Sequence, residues 1–472
     1  MRSRFSLPAH LSCVIVLFAS SAPTLMAQNP VPFLSQPVVP DAIAPGVPTA
    51  TLRLVVNGTG FVPLSRVNWN GSPRKTTYVN NSRLIAQLLP SDIVVPTSAW
   101  ITVVNPPPGG GRSNTLNLPI HNPISSLSFS QKTYTVGGNP QYAEAADFRG
   151  KGKLDLAIAN DGTGMVSILL GNGDGTFESA ADYYAGPCAQ LPIIGDFNRD
   201  GKPDIAVPNC DGVAVLLGNG DGTFKSAVSY PIGGTPIQGI TADLNGDGKL
   251  DLAIGGWFSG VSILLGNGDG TFQPYHIYSA GSVQTGVQAG DFNRDGKLDL
   301  AVANWGSNTV SILLGNGDGT FRPAVDYATG NSPGVLAVAD LNGDGKLDLA
   351  VPNQSAGTVS ILLGNGDGTF RNHVDYAAPA SGGLDLADFN ADGRLDIVVS
   401  GGSNFDILLG NGDGTFQPYQ SFDTGAGAWN PLPADFNRDG RMDFVNSNFD
   451  DGTVSVFVAQ PSLSSGATGG SK

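Results

Sequence analysis

The chain has 472 residues, of which 65 are Gly and 33 are Pro, while only 14% are charged. The hydrophobic class makes up 40%, enough for a large core, so this much Gly and Pro points to many tight turns rather than to low complexity. The formal net charge of −15 argues against nucleic acid and anionic membrane as partners, since both are recognised through Lys/Arg patches.

Residues 1–27 read as a secretory signal. Arg2 and Arg4 form a charged start, and the apolar run Leu11 to Ala19 is too short to span a bilayer. Cleavage is predicted near Ala27, which leaves an exported chain of net charge −17. No later stretch has 18 apolar residues in a row, so no membrane span is expected in the mature chain. Residues 31–121 are rich in Pro and β-branched residues, with "TLRLVVNGTGF", "SRVNWNG", "RLIAQLL" and "AWITVVNP" as candidate strands. About 90 residues of this kind suit a small Ig-like β-sandwich, with Trp69 and Trp100 expected in its core.

Beyond this segment the chain repeats itself. "DFNRDGKPD" begins at Asp196, and its relatives begin at Asp243, Asp291, Asp340, Asp388 and Asp435. A degenerate copy, "DFRGKGKLD", begins at Asp147, so there are seven copies spaced 47 to 49 residues apart. A second marker, "LLGNGDGTF", interleaves with the first, with its leading Gly at 171, 218, 266, 315, 364 and 410. It occurs six times. Each period holds four short β segments separated by Asn-Gly and Asp-Gly turns, and no helical periodicity crosses it. Four antiparallel strands recurring seven times predict an all-β, seven-bladed β-propeller across 124–458. The missing seventh marker predicts that segment 124–136 supplies the last blade's fourth strand and closes the ring, removing an exposed sheet edge. Residues 459–472 read as a flexible tail.

The nine-residue unit Asp-x-Asn-x-Asp-Gly-x-x-Asp offers oxygen donors at positions 1, 3, 5 and 9 of a tight loop. Three carboxylates and an amide suit Ca²⁺ better than Mg²⁺, and the absence of Cys and His argues against Zn²⁺. The predicted ligand sets are Asp196, Asn198, Asp200 and Asp204; Asp243, Asn245, Asp247 and Asp251; Asp291, Asn293, Asp295 and Asp299; Asp340, Asn342, Asp344 and Asp348; Asp388, Asn390, Asp392 and Asp396; and Asp435, Asn437, Asp439 and Asp443. About six structural Ca²⁺ ions are therefore expected. The alternative is a plain Asp/Asn/Gly hairpin, but three Asp in one small loop repel one another unless a cation is present. The first copy has Arg149 and Lys151 at positions 3 and 5, so no metal is expected there, with Lys151 a candidate to supply the charge. The "GNGDGT" segments hold one Asp each and read as turns.

The "DFNRDGKLDLAV" and "LLGNGDGTF" units resemble FG-GAP (VCBS-type) repeats, related to the propeller of integrin alpha subunits. The resemblance covers about 139–458. It implies calcium loops between the first and second strands of each blade, where they clamp hairpins, and a mostly non-catalytic family associated with adhesion, ligand binding or cell-surface assembly. Segment 31–121 resembles a TIG/IPT immunoglobulin-like domain, which implies spacing or protein contact rather than chemistry.

The face opposite the calcium loops is then the candidate ligand face. Cys188 and Cys210 both fall there, as a disulfide or as a pair of buried thiols. Trp257, Phe258, Trp305, Trp429 and Phe449 are also placed there, either stacking on a sugar or gripping a protein, or else packing between blades. Support for catalysis is thin. Beyond the signal the only His residues are His121, His276 and His373, none beside a nucleophile, and the adjacent Asp450 and Asp451 read as a solvated loop. The expected function is a non-catalytic, exported binding or adhesion propeller with an unidentified protein or glycan ligand. A glycan lyase or hydrolase on the same scaffold and a purely structural envelope module are the alternatives.

Overall fold

The computed structural model describes residues 29, 32–39, 53–81, 83–95, 97–120, 126–257, 260–379 and 382–460. The expected signal 1–27, His121, Phe258 and the chain beyond 460 lie outside these residues.

The N-terminal segment forms two antiparallel sheets. One runs Phe33–Val39, Arg53–Thr59, Arg83–Gln87, Lys75–Asn80; in the other Thr97–Asn105 pairs with Arg66–Trp69, Gly111–Arg112 and Leu116–Ile120. Alternate residues point inward, as a pleated strand requires. Leu54, Val56, Val67, Trp69, Leu84, Ala86, Ile101 and Val103 thus share one buried core between the sheets. Trp100 departs from expectation. Its neighbours Ala99 and Ile101 take the inward positions, so the indole emerges on the opposite face, only partly buried.

The repeats form five four-stranded antiparallel sheets and one six-stranded sheet. The first sheet is Pro140–Ala146, Asp155–Asn160, Met165–Leu169 and Ala181–Tyr184. The next four follow the same plan through Ala377. Second strands such as Asp155–Asn160 are buried along their whole length, because both faces of the sheet are covered. Outer strands such as Ala181–Tyr184 are mostly exposed. In the six-stranded sheet, Asp396–Leu408 and Gln420–Ala434 each carry two successive ladders, so the sixth and seventh repeats run into one sheet. Phe129–Thr135 pairs antiparallel with Thr453–Ala459 over seven residues and completes it.

Each repeat packs face to face on the next. Ala157 and Ala159 of the first sheet meet Ile205 and Val207 of the second, and the pattern continues around the molecule. The last such core joins Val445 and Val456 of the final repeat to Leu156 and Ile158 of the first. No repeat buries its apolar faces alone, so stability is a sum of interfaces. The Phe of each "GNGDGTF" marker pins these interfaces: Phe224 lies edge-to-face on Phe148 of the preceding loop at 5.2 Å and on Tyr183 at 5.4 Å, and Phe370 does the same with Phe292 and Tyr327.

Candidate functional site

The seven loops all lie where a repeat's first strand hands over to its second. In the loop at Asp196, the Asp200 amide donates to Asp196 Oδ1 and Asn198 Oδ1, and the Gly201 amide donates to Asp196 Oδ2. These Asx turns curl the chain into a tight ring. Gly201 sits at φ +82°, a left-handed position that favours glycine. Asp204, at position 9, is fully buried and accepts from the Phe197 amide at 2.9 Å and the Gly218 amide at 2.7 Å. Gly218 opens the repeat's "GNGDGTF" marker, so one carboxylate ties the two sequence markers together. The bond recurs from Asp251 to Gly266, Asp299 to Gly315, Asp348 to Gly364 and Asp396 to Gly410. In the seventh repeat, which lacks the marker, the Ala459 amide takes its place on Asp443. The marker Asp residues cap their own turns instead: Asp221 accepts from the Thr223 amide and hydroxyl.

Charge is concentrated in these loops. Burial, with the neighbouring loop carboxylates adding to it, pushes Asp204 and Asp251 up to about 7. The same causes push Asp299 and Asp348 to about 6 and hold Asp396 and Asp443 well above the ordinary carboxylate range. The first loop carries its own answer. Arg149 donates through Nη2 to Asp155 Oδ1 at 2.5 Å and through Nε to Oδ2 at 3.3 Å, while Asp155 also accepts from Gly171 like its counterparts. Arg149, rather than the exposed Lys151, brings the positive charge. Where position 3 is Asn instead of Arg, the position-7 cation pairs with position 5, as Lys249 with Asp247 and Arg441 with Asp439, both at 2.9 Å, and the hard oxygen donors that remain at positions 1, 3 and 9 fit an alkaline-earth ion. Among the described residues, no three His, Cys, Asp or Glu side chains are drawn together as a finished metal-holding group, because the loop oxygens are turned to backbone amides.

At the opposite ends of the strands, Cys188 and Cys210 form a disulfide with Cα atoms 5.5 Å apart. Trp257 and Trp305 stand at the same position of consecutive repeats and are 47% and 43% exposed. Trp429 is partly buried against Phe449, with ring centroids 6.4 Å apart. His276 is exposed on an outer strand, His373 lies 2.8 Å from Asp375, and Asp450 and Asp451 are exposed.

The FG-GAP-like repeat family matches six overlapping segments, residues 147–207, 196–254, 243–302, 291–351, 340–399 and 388–445, each opening on the first Asp of a loop. The chain belongs to the FG-GAP-like repeat family. Its repeated four-stranded sheets, closed on themselves by Phe129–Thr135, form an FG-GAP β-propeller. No curated protein matches the chain. Among solved structures, BBS1N in complex with ARL6DN is similar over 72% of this FG-GAP chain and 98% of its own, at 11% identity and a TM-score of 0.50, a likeness of fold alone. A protein of Agrocybe aegerita described for specific recognition of non-reducing terminal N-acetylglucosamine is 21% identical over 75% of this chain and 96% of its own, with a TM-score of 0.46. The periplasmic gluconolactonase PpgL of Pseudomonas aeruginosa is 14% identical over 70% and 97%, with a TM-score of 0.49.

One feature of the FG-GAP propeller escaped the sequence reading. Tyr142, Leu191 and Val335, from the innermost segments of three repeats, form a small core of their own. Two residues along from Tyr142, burial and then the nearby Asp385 push Glu144 up to about 8. The signal was available in register. Counted back from each loop's first Asp, the position of Glu144 holds Ile193, Ile240, Gln288, Ala337, Asp385 and Leu432, so only two repeats place an acid there.

Proposed function

We propose that this FG-GAP propeller is a seven-bladed, calcium-stabilised, non-catalytic binding module, exported and preceded by an Ig-like domain, that takes a protein or glycan ligand on the face opposite its carboxylate loops. The seven loop copies and the core that joins the last repeat to the first support seven blades. The two facing sheets of the N-terminal segment support the Ig-like reading. The calcium reading is supported by the Arg149–Asp155 pair, which supplies a cation in the one loop that lacks the ligands.

The observation that carries the binding reading is the pair Trp257 and Trp305. Large aromatics left nearly half exposed on consecutive repeats provide stacking area at the surface. Nearby groups are neutral hydroxyls and amides, including Ser307, Asn308, Ser332 and Ser355. That combination suits the faces and hydroxyls of a sugar or the polar rim of a protein contact. A glycan array combined with pull-down from the native surroundings tests it. Binding lost in Trp257→Ala with Trp305→Ala, at unchanged melting temperature, is expected; binding that survives both substitutions would move the ligand elsewhere. The enzyme reading has one feature in its favour, the Glu144 carboxyl whose proton affinity is raised by burial and by the nearby Asp385, and a hydrolase and lyase screen of Glu144→Gln against the parent chain decides it.

A further inference from the structure

The N-terminal sheets meet the loop end of the propeller at three points. Trp100, the residue excluded from its own core, lies against Gly152, where an added Cβ would come within 2.9 Å of the indole. The Arg438 guanidinium covers the same ring at 4.5 Å. Gly440 is so close to the paired strand ends Thr97 and Ile120 that a Cβ would fall 2.7 and 2.5 Å from their carbonyl oxygens. Asn81, in the turn between two N-terminal strands, donates to Asp243 Oδ2 at 3.2 Å.

These contacts share a register. Gly152 and Gly440 are both position 6 of a carboxylate loop, held at φ +71° and +85°, and Asp243 is position 1 of another. The equivalent glycines Gly296 and Gly393 have φ +83° and +82° but nothing within 4 Å of a Cβ. The N-terminal module therefore reads the shape of loops one, three and seven and leaves loops four and six open.

We infer that docking of the N-terminal module and cation occupancy of loops three and seven are linked, the loop face acting as a cation-dependent joint between the two parts of the chain. The inference rests on the calcium reading above. A loop whose carboxylates are neutralised keeps the tight ring that presents its position-6 glycine and position-1 carboxylate. A loop with an ion pair only at position 5, Asp247 with Lys249 or Asp439 with Arg441, still has the carboxylates of positions 1 and 9 uncompensated and is driven to open. Linkage is reciprocal: whatever calcium contributes to docking, docking returns to calcium affinity. Loop one needs no ion, since Arg149 holds it, and it serves as the fixed side of the joint.

Hydrogen exchange on the full chain, with calcium or with chelator, tests this. Chelation is expected to raise exchange at least tenfold in the strands Thr97–Asn105 and Leu116–Ile120 where they meet the propeller. Gly440→Ala is expected to do the same in calcium, while Gly296→Ala and Gly393→Ala, which add the same backbone strain in open space, leave those strands protected. Asn81→Ala, a milder change, is expected to weaken calcium protection of loop three several-fold and leave loops four and six unaltered. Protection of the N-terminal strands that is indifferent to calcium, while loops two, four, five and six respond to it, overturns the joint and spares the calcium reading. No calcium response in any loop overturns both.

Discussion

Phe177 lies edge-to-face on Phe436 with centroids 5.7 Å apart, and Tyr134 lies edge-to-face on Phe177 at the same distance. These rings belong to the first repeat, the last repeat and the N-terminal strand, so the contact bridges the ends of the repeat array. Truncating a buried Phe removes transfer energy and leaves a cavity. Phe177→Ala is expected to destabilise the chain by about 3–5 kcal/mol, read as a lower urea midpoint. Trp257→Ala, on an exposed ring, should stay within about 0.5 kcal/mol.

Arg149 and Asp155 make the second test. Asp155 is fully buried, and removing its partner strands a charge, so Arg149→Ala is expected to cost about 3–5 kcal/mol by thermal or urea unfolding. Arg149→Asn together with Lys151→Asp converts "DFRGKG" into "DFNGDG", the pattern of a complete loop. Titration calorimetry should then count one more calcium than the parent chain binds.

Glu144 gives a pH dependence. Its carboxyl binds a proton more tightly folded, at about 8, than unfolded, at the ordinary 4.5. That contribution is complete below pH 4.5 and is lost as pH rises through 8. Glu144→Gln keeps the hydrogen-bonding shape without the ionisation. It is expected to match the parent at pH 4.5 and to exceed its stability by roughly 2 kcal/mol at pH 9, where the parent must bury a charge.

Cys188 and Cys210 close a loop with a sequence separation of 22. In the chain-entropy account a loop of this size is stabilised by about 3 kcal/mol. Cys188→Ser with Cys210→Ser should lower the melting temperature, and added reductant should change the parent but not the double variant.

Much of this architecture was legible in the linear sequence because a repeat protein writes its fold at a fixed period. The Asp-x-Asn-x-Asp-Gly-x-x-Asp copies located every strand-one to strand-two handover. The marker "GNGDGTF" located the hairpins, and β-branched segments located four of the N-terminal strands, Arg53–Thr59, Arg66–Trp69, Arg83–Gln87 and Thr97–Asn105. Local chemistry sufficed there, since turns and pleats are decided by neighbours a few residues apart.

Contacts between distant residues were decided only in three dimensions. Spacing could not say that Arg149, rather than Lys151, reaches the buried Asp155, because the two differ only in which way the loop aims them. Nor could it show that Trp100 leaves its own sheet's core to rest on Gly152, or that Asp385, 241 positions away, raises the proton affinity of Glu144 across the ring. Period and residue type set what each repeat can become; which side chains from different repeats share a space follows from closing the ring, which brings its ends into contact.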